Sequence, residues 1–244
     1  MKNVVANLTN QLKDLKEINQ ELATLPIGYL VQKANSYYHV TNEQHKAITK
    51  NIPLIKQLCR KRYLLLRCSQ LELNMSARHP SHLDTRRPQE LIATMPKAYQ
   101  TVPISYFYHP KVNDWLEKPY KTNTLFPENA IYPYNGINFR SMAERTIAQQ
   151  LDHYQLLYQY EPTFNIGSKQ ISPDFFIKNA FSNKDIIWEH YGAFNHEKYA
   201  DAMNDKMDTY IKLGFTPSKN LIATYQYHIR NTDRLRELIE QIIL

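Results

Sequence analysis

Glycine is scarce in this sequence, with 5 in 244 residues. Nothing in the chain resembles a glycine-rich phosphate loop, and no helicase or ATPase motif is present. Cysteine is scarcer still. Cys59 and Cys68 fall in one predicted helix, and a separation of nine residues sets them roughly 13 Å apart along its axis, too far for a disulfide. With no paired-cysteine metal motif either, a reducing, intracellular, cytoplasmic setting is expected. No run of about 18 apolar residues occurs, and the first residues lack the apolar core of a signal peptide, so no membrane span is expected. Few glycines beside 13 prolines argue against a low-complexity chain. A composition that is 43% hydrophobic and 12% aromatic allows a sizeable core, in one large domain or two small ones.

Tyrosine and positive charge are plentiful. There are 18 tyrosines, and the formal net charge is +7 with an isoelectric point near 9.2. That balance favours an anionic partner, most often nucleic acid or an acidic surface.

Residues 3–24 read as a helix in which Leu8, Leu15 and Leu22 recur every seven positions, with Val5 and Leu12 in the same stripe. The stripe is of the kind that packs on the rest of the chain or pairs with another helix, giving a homo-oligomer or a partner-protein contact. Pro26 and Gly28 end it. Residues 29–48 suggest a small β-hairpin turning at Asn35-Ser36. A helix over 53–74 carries Lys56, Arg60, Lys61, Arg62 and Arg67; this face is either solvated or contacts phosphates. The polar stretch 76–87 follows, where His79, His82 and Asp84 match no standard metal spacing. Residues 89–132 read as an ordered connector. The resulting division is 1–126, mainly helical with a hairpin, and 127–244.

The second part has sharper patterning. A helix over "FRSMAERTIAQQLDHYQL" is capped by Ser141. Strands "YQYEPTF", "ISPDFFI" and "IIWEHYG" come next, then a helix ended by Gly214, a strand "NLIATYQ" and a terminal helix. The order is α-β-β-β-α-β-α, a mixed sheet flanked by helices in an α/β (α+β) fold. Asp174 and Glu189 are lone acids in apolar, β-prone runs, where an ionised carboxylate needs water, a partner or a cation. If 171–177 and 186–192 form a hairpin, the two stand side by side. Glu144 on the preceding helix would join them at one sheet edge. A hard divalent cation, Mg²⁺ or Mn²⁺, suits such an oxygen set.

The succession "FRSMAE", "YQYEP", "PDFFI", "WEHYG", "DKMDTY" and "LIATYQ" resembles the PD-(D/E)XK nuclease superfamily, and within it a branch of bacterial and phage-type proteins with RSxxE…YEP…PDF…WEHxG. The resemblance spans about 135–228 and implies a restriction-endonuclease-like core and metal-dependent hydrolysis of phosphodiesters, with DNA the expected substrate. It implies that Asp174 and Glu189 ligate the metal, Glu144 helps directly or through water, and the backbone carbonyl of His190 is a further ligand. Products would carry 5′-phosphate and 3′-hydroxyl ends. Tyr191 stands where the motif has lysine. The resemblance therefore points to a lysine from the next helix, with Lys206 first and Lys198 second; Tyr199, Lys206 and Tyr210 share one helical face. Arg140 and Ser141 either touch a phosphate or cap their helix. Arg60, Lys61, Arg86 and Arg87 are candidates to hold the substrate backbone, and Tyr191, Tyr199 and Tyr210 to line the site. The competing readings are a catalytically inactive nuclease fold that binds nucleic acid or a protein partner, a defence or counter-defence interaction factor, and cleavage of RNA instead of DNA.

Overall fold

The computed structural model describes the backbone of residues 2–192, 197–217 and 219–242, and the side chains of 8–192, 201, 203–217 and 219–240. It is a mixed α+β protein of two compact units, Met1–His109 and Pro110–Leu244. The unit boundary falls ahead of the position near 126 that the sequence suggested.

In the first unit, helix α1 (Lys2–Leu22) leads into strands β1 (Tyr29–Lys33), β2 (Ser36–Thr41) and β3 (Gln44–Ala47). These form a three-stranded antiparallel meander where the sequence suggested a hairpin. The extra strand follows a second tight turn at Asn42-Glu43, with φ of 47° and 64°; two left-handed central residues match the twist of a hairpin. Gly28, at the approach to β1, has φ +98°, and a Cβ there would sit 2.3 Å from the Val40 carbonyl oxygen. Gly28→Ala is expected to destabilise this unit by about 1–3 kcal/mol, read as a lower midpoint in thermal unfolding.

Helix α2 (Ile52–Ser76) starts where Asn51 Oδ1 accepts from the Leu54 N–H at 3.2 Å. It buries Ile55, Leu58, Cys59, Tyr63, Leu64 and Leu71. Short helices α3 (Pro88–Ala93) and α4 (Lys97–Gln100) follow. The Tyr99 hydroxyl of α4 accepts from the Leu30 N–H of β1 at 2.9 Å. The leucine stripe of α1 is only partly covered, since Leu15 and Leu22 are half-buried while Leu8 and Leu12 remain exposed.

The second unit begins with α5 (Pro110–Glu117) and the hairpin β4 (Tyr132–Tyr134)–β5 (Ile137–Phe139). Then come α6 (Met142–His153), β6 (Leu157–Tyr160), β7 (Phe164–Ile166), β8 (Lys169–Ile171), β9 (Phe175–Lys178), β10 (Asp185–Tyr191), α7 (Glu197–Lys212), β11 (Leu221–Tyr225), α8 (Gln226–Ile229) and α9 (Thr232–Ile242). The sheet order is β11-β10-β9-β6, with β10 and β11 parallel and the other neighbours antiparallel. Gly214 (φ +91°) closes α7, its N–H donating to the Ile211 carbonyl at 2.9 Å.

Alternation along the strands gives the sheet two covered faces. Phe175, Ile177, Ile186, Trp188 and Ile222 pack with Ile147 and Leu151 of α6 and Leu235 and Ile239 of α9. Phe176, Ile187 and Leu221 pack on the other side with Tyr210 and Met207 of α7. Two prolines then decide where the ladder stops. "YQYEPTF" and "ISPDFFI" read as single strands, but each breaks at its proline. Pro162 and Pro173 lack the N–H a ladder needs. The last β6–β9 pair is Tyr160 opposite Phe175, and β7 and β8 leave as a separate ribbon. Glu161 and Asp174 lie at the fork, linked by a Glu161 N–H donating to the Asp174 carbonyl at 2.9 Å.

Candidate active site

The β9–β10 register brings Phe175 opposite Trp188, so Asp174 and Glu189 sit one step beyond the last pair. The His190 N–H donates to Asp174 Oδ2 at 2.6 Å. Both acids alternate with residues of the α7-facing core, Asp174 with Phe176 and Glu189 with Ile187. Glu189 is 2% exposed. Helix α7 reaches down to it, with Lys206 Nζ 2.8 Å from the carboxylate oxygens and the Tyr210 hydroxyl donating to Oε1 at 2.6 Å. On the neighbouring strand the partner of Glu189 is the small Ala223.

A second cluster stands beside the first. Ser141 Oγ caps α6 by accepting from the Glu144 N–H at 3.1 Å. The Glu144 carboxylate accepts from the Tyr160 hydroxyl at 2.6 Å and from the Arg140 N–H at 3.0 Å. The Arg140 guanidinium is ion-paired with Glu161 at 2.7 Å.

The two clusters share one field. Burial first, then the charges of Glu189 and Glu144, push the Asp174 carboxyl well above the usual carboxylate range, with Lys206 opposing. Glu189 is likewise raised by burial, against the pull of Lys206 and Tyr210. Glu161 is raised by burial against Arg140. Burial works against the Lys206 ammonium, but Glu189 and Asp174 outweigh it and its shift is upward. Burial drives the His190 ring down to about 4, so it is neutral. Among the described residues, four carboxylates, Glu144, Glu161, Asp174 and Glu189, thus face two cations, Arg140 and Lys206. An excess of buried negative charge is costly unless a proton or a cation offsets it.

The donor set fits a small hard cation through two carboxylates, Asp174 and Glu189. Mg²⁺ commonly takes one or two carboxylates, with water and substrate phosphate as its other ligands. The three-acid convergence expected from the sequence is looser than that. Among the described residues, no three His, Cys, Asp or Glu side chains gather into a group able to hold a metal. The physical reason is that Glu144 rides on α6, which covers the opposite face of the sheet, and its carboxylate is engaged by Tyr160 and Arg140.

The other sequence-predicted residues are placed as follows. Tyr191 is 4% exposed and packs toward Tyr225, ring centroids 5.8 Å apart. The His190 ring lies on the side away from Glu189, with Nδ1 3.2 Å from Thr224 Oγ1; Trp188 Nε1 donates to the same hydroxyl at 2.9 Å. Tyr199 and Lys198 lie outside the residues whose side chains are described.

In the first unit, Arg60 is not on a phosphate-facing surface. It is 3% exposed and forms a bidentate pair with Glu21, at 2.7 and 2.8 Å, while donating to the Phe107 carbonyl. Burial alone would raise the Glu21 carboxyl, but Arg60 outweighs it and holds Glu21 below its ordinary value. Lys61 Nζ donates to the Pro26 carbonyl at 2.8 Å. Arg86 is half-exposed and ion-paired with Asp84 at 2.5 Å. Arg87 is exposed at the start of α3, where its N–H donates to Glu90. The helical period placed the basic residues of α2 on the chain, but Glu21 of α1 claims the one that lies on the buried stripe.

No family model, curated protein or solved structure matches the chain. No helix among the described residues is long and apolar enough to cross a membrane. Sequence reasoning gave no role to Tyr160, which donates to Glu144, or to Glu161, which pairs with Arg140. Their signal was the "YEP" segment itself, an acid set immediately before a ladder-breaking proline.

Proposed function

We propose that the second unit is a divalent-cation-dependent nuclease of restriction-endonuclease-like type, acting on the phosphodiesters of nucleic acid, with DNA the first candidate. The observation that carries this reading is the pair of half-buried Asp174 and buried Glu189, set side by side at a forked strand end with Lys206 against Glu189. The balance of four acids against two cations around it, counted over the described residues, adds support.

Asp174 and Glu189 would hold the cation. When bound, it would supply a Lewis acid and lower the pKa of water at the site. The His190 N–H holds Asp174 in place, and Tyr210 fixes one oxygen of Glu189. Lys206 keeps its proton next to the pair, where it would orient the attacking water and stabilise negative charge gathering on the phosphoryl oxygens. One water is consumed. Its oxygen would bond to phosphorus as the bond to the 3′ oxygen breaks, one water proton passing through solvent to that leaving oxygen, to give 5′-phosphate and 3′-hydroxyl ends. Arg140 and Glu161 keep Glu144 oriented nearby.

A second reading, a nuclease-like fold that binds without cutting, has one specific observation in its favour. Lys206 and Tyr210 already occupy the Glu189 carboxylate. The decisive experiment incubates the protein with labelled single-stranded, duplex and branched DNA and with RNA, in Mg²⁺, Mn²⁺ or EDTA. Cation-dependent cutting is expected. Binding with no cutting of any substrate would select the second reading.

A further inference from the structure

Two residues beyond Glu189, β10 and β11 end side by side in a group of rings that the hydrolytic reading does not use. Tyr191 and Tyr225 are paired across the parallel strands, and paired residues of parallel strands point to the same face, here the face of Glu189. A residue advances a strand by about 3.3 Å, so this edge begins within about 7 Å of the carboxylate along β10. The rings continue outward. Tyr225 and Tyr227 are stacked with centroids 6.0 Å apart and planes at 15°. His228 lies 3.9 Å from Tyr227 and 5.9 Å from Tyr225, nearly parallel to the latter. The Arg234 guanidinium sits over the Tyr227 ring at 5.8 Å. Tyr227 is 53% exposed, and Arg230 beside it is exposed as well.

Tyr227 is the exposed ring, beside half-buried Tyr225 and His228, and one of these rings is tied to the backbone. The Tyr225 N–H donates to His228 Nδ1 at 3.0 Å, which fixes that ring and its tautomer. Burial, with Arg234 acting in the same direction, keeps His228 below its ordinary pKa and therefore neutral near pH 7, as a ring nitrogen that accepts from a backbone N–H must be. An uncharged group of rings with a half-exposed tyrosine on its outside, flanked by arginines, suits a nucleobase whose own strand supplies the phosphates.

We infer that Tyr225, Tyr227 and His228 form a stacking shelf for an unpaired nucleobase, so that the substrate enters the carboxylate site as a single strand or an unpaired end. This rests on the nuclease reading for the direction of the strand, but the shelf itself is a binding site and is tested as one. Duplex DNA offers its base faces only to neighbouring bases, so the shelf discriminates against it.

The test measures fluorescence anisotropy of labelled 12-nucleotide single strands, DNA and RNA, and of the matching duplex, in EDTA at low salt. The full chain, Tyr227→Ala, Tyr227→Trp and Arg234→Ala are compared. Single strands are expected to bind at least about tenfold tighter than duplex. Tyr227→Ala should weaken single-strand binding about tenfold, the loss of one stacked base. Tyr227→Trp should restore it, and Arg234→Ala should weaken it less. Equal affinity for single strand and duplex, or a Tyr227→Ala variant that binds like the parent, overturns the shelf. Because no cation is present, the result is independent of cleavage. Tyr227-dependent single-strand binding by a protein that never cuts would sustain the shelf and sink the nuclease reading, and cutting with Tyr227-independent binding would do the reverse.

Discussion

Asp174→Asn is expected to lower cation-dependent cleavage by at least about a thousandfold, the scale of several kcal/mol of lost charge stabilisation, while making the metal-free protein more stable. The two effects have one cause. Asp174 is raised well above its ordinary value of 3.8 by burial and by Glu189 and Glu144. A carboxyl whose folded pKa exceeds its unfolded pKa contributes most to stability at low pH, where it is protonated in both states. That contribution is lost as pH rises from about 4 through the raised value. Asparagine does not titrate, and its side-chain oxygen can still accept from the His190 N–H. The gap in unfolding midpoint between Asp174→Asn and the parent should therefore open as pH rises and close near pH 4. Added Mg²⁺ or Mn²⁺ should raise the midpoint of the parent at neutral pH and leave Asp174→Asn unmoved. A variant that is less stable than the parent at neutral pH, or that gains equally from Mg²⁺, would remove Asp174 from the cation site.

The sequence made the second unit readable because its elements are short, strongly patterned and end at clear signals. Ser141 caps a helix and Gly214 ends one, while Asp174 and Glu189 interrupt apolar runs. What the pattern concealed was the effect of Pro162 and Pro173. Period-2 alternation continues through both, so each segment reads as one strand, and only the missing N–H groups show that the ladder must end. The hairpin β4–β5 escapes the pattern although Asn135-Gly136 marks its turn, with φ of 48° and 79°; two strands of three residues carry too little alternation to register. Arg60 shows a different limit. Its helical position is readable, but its partner, Glu21, lies 39 residues away on another helix, and no local period encodes that pairing. Lys206 was reachable from the absence of lysine at Tyr191, whereas Tyr160 and Glu161 needed the fold of the ladder.

Lys206→Met is expected to destabilise the protein by about 3 kcal/mol, because removing one partner of a buried pair leaves the other charge uncompensated. Glu189 is 2% exposed, and after the substitution Tyr210 would be its carboxylate's remaining close partner among the described residues. The Lys206 side chain is 28% exposed, so the loss should fall at the low end of what a buried pair costs. The double variant Lys206→Met/Glu189→Gln should recover most of it. The introduced glutamine would be neutral, and its amide oxygen could still accept from the Tyr210 hydroxyl. Equilibrium denaturation of the parent, both single variants and the double variant gives the coupling directly. A coupling near zero would mean that Glu189 is not held as an ion by Lys206. The same variant separates stability from chemistry. With one cation removed, the excess of negative charge around Asp174 and Glu189 grows, so Mg²⁺ should stabilise Lys206→Met more than it stabilises the parent. Cleavage, measured where every variant is folded and saturated with Mg²⁺, should nevertheless fall by about 10²–10³, the loss that follows removal of one oriented donor. Tighter cation binding with slower cutting is the combination that a purely structural lysine does not produce.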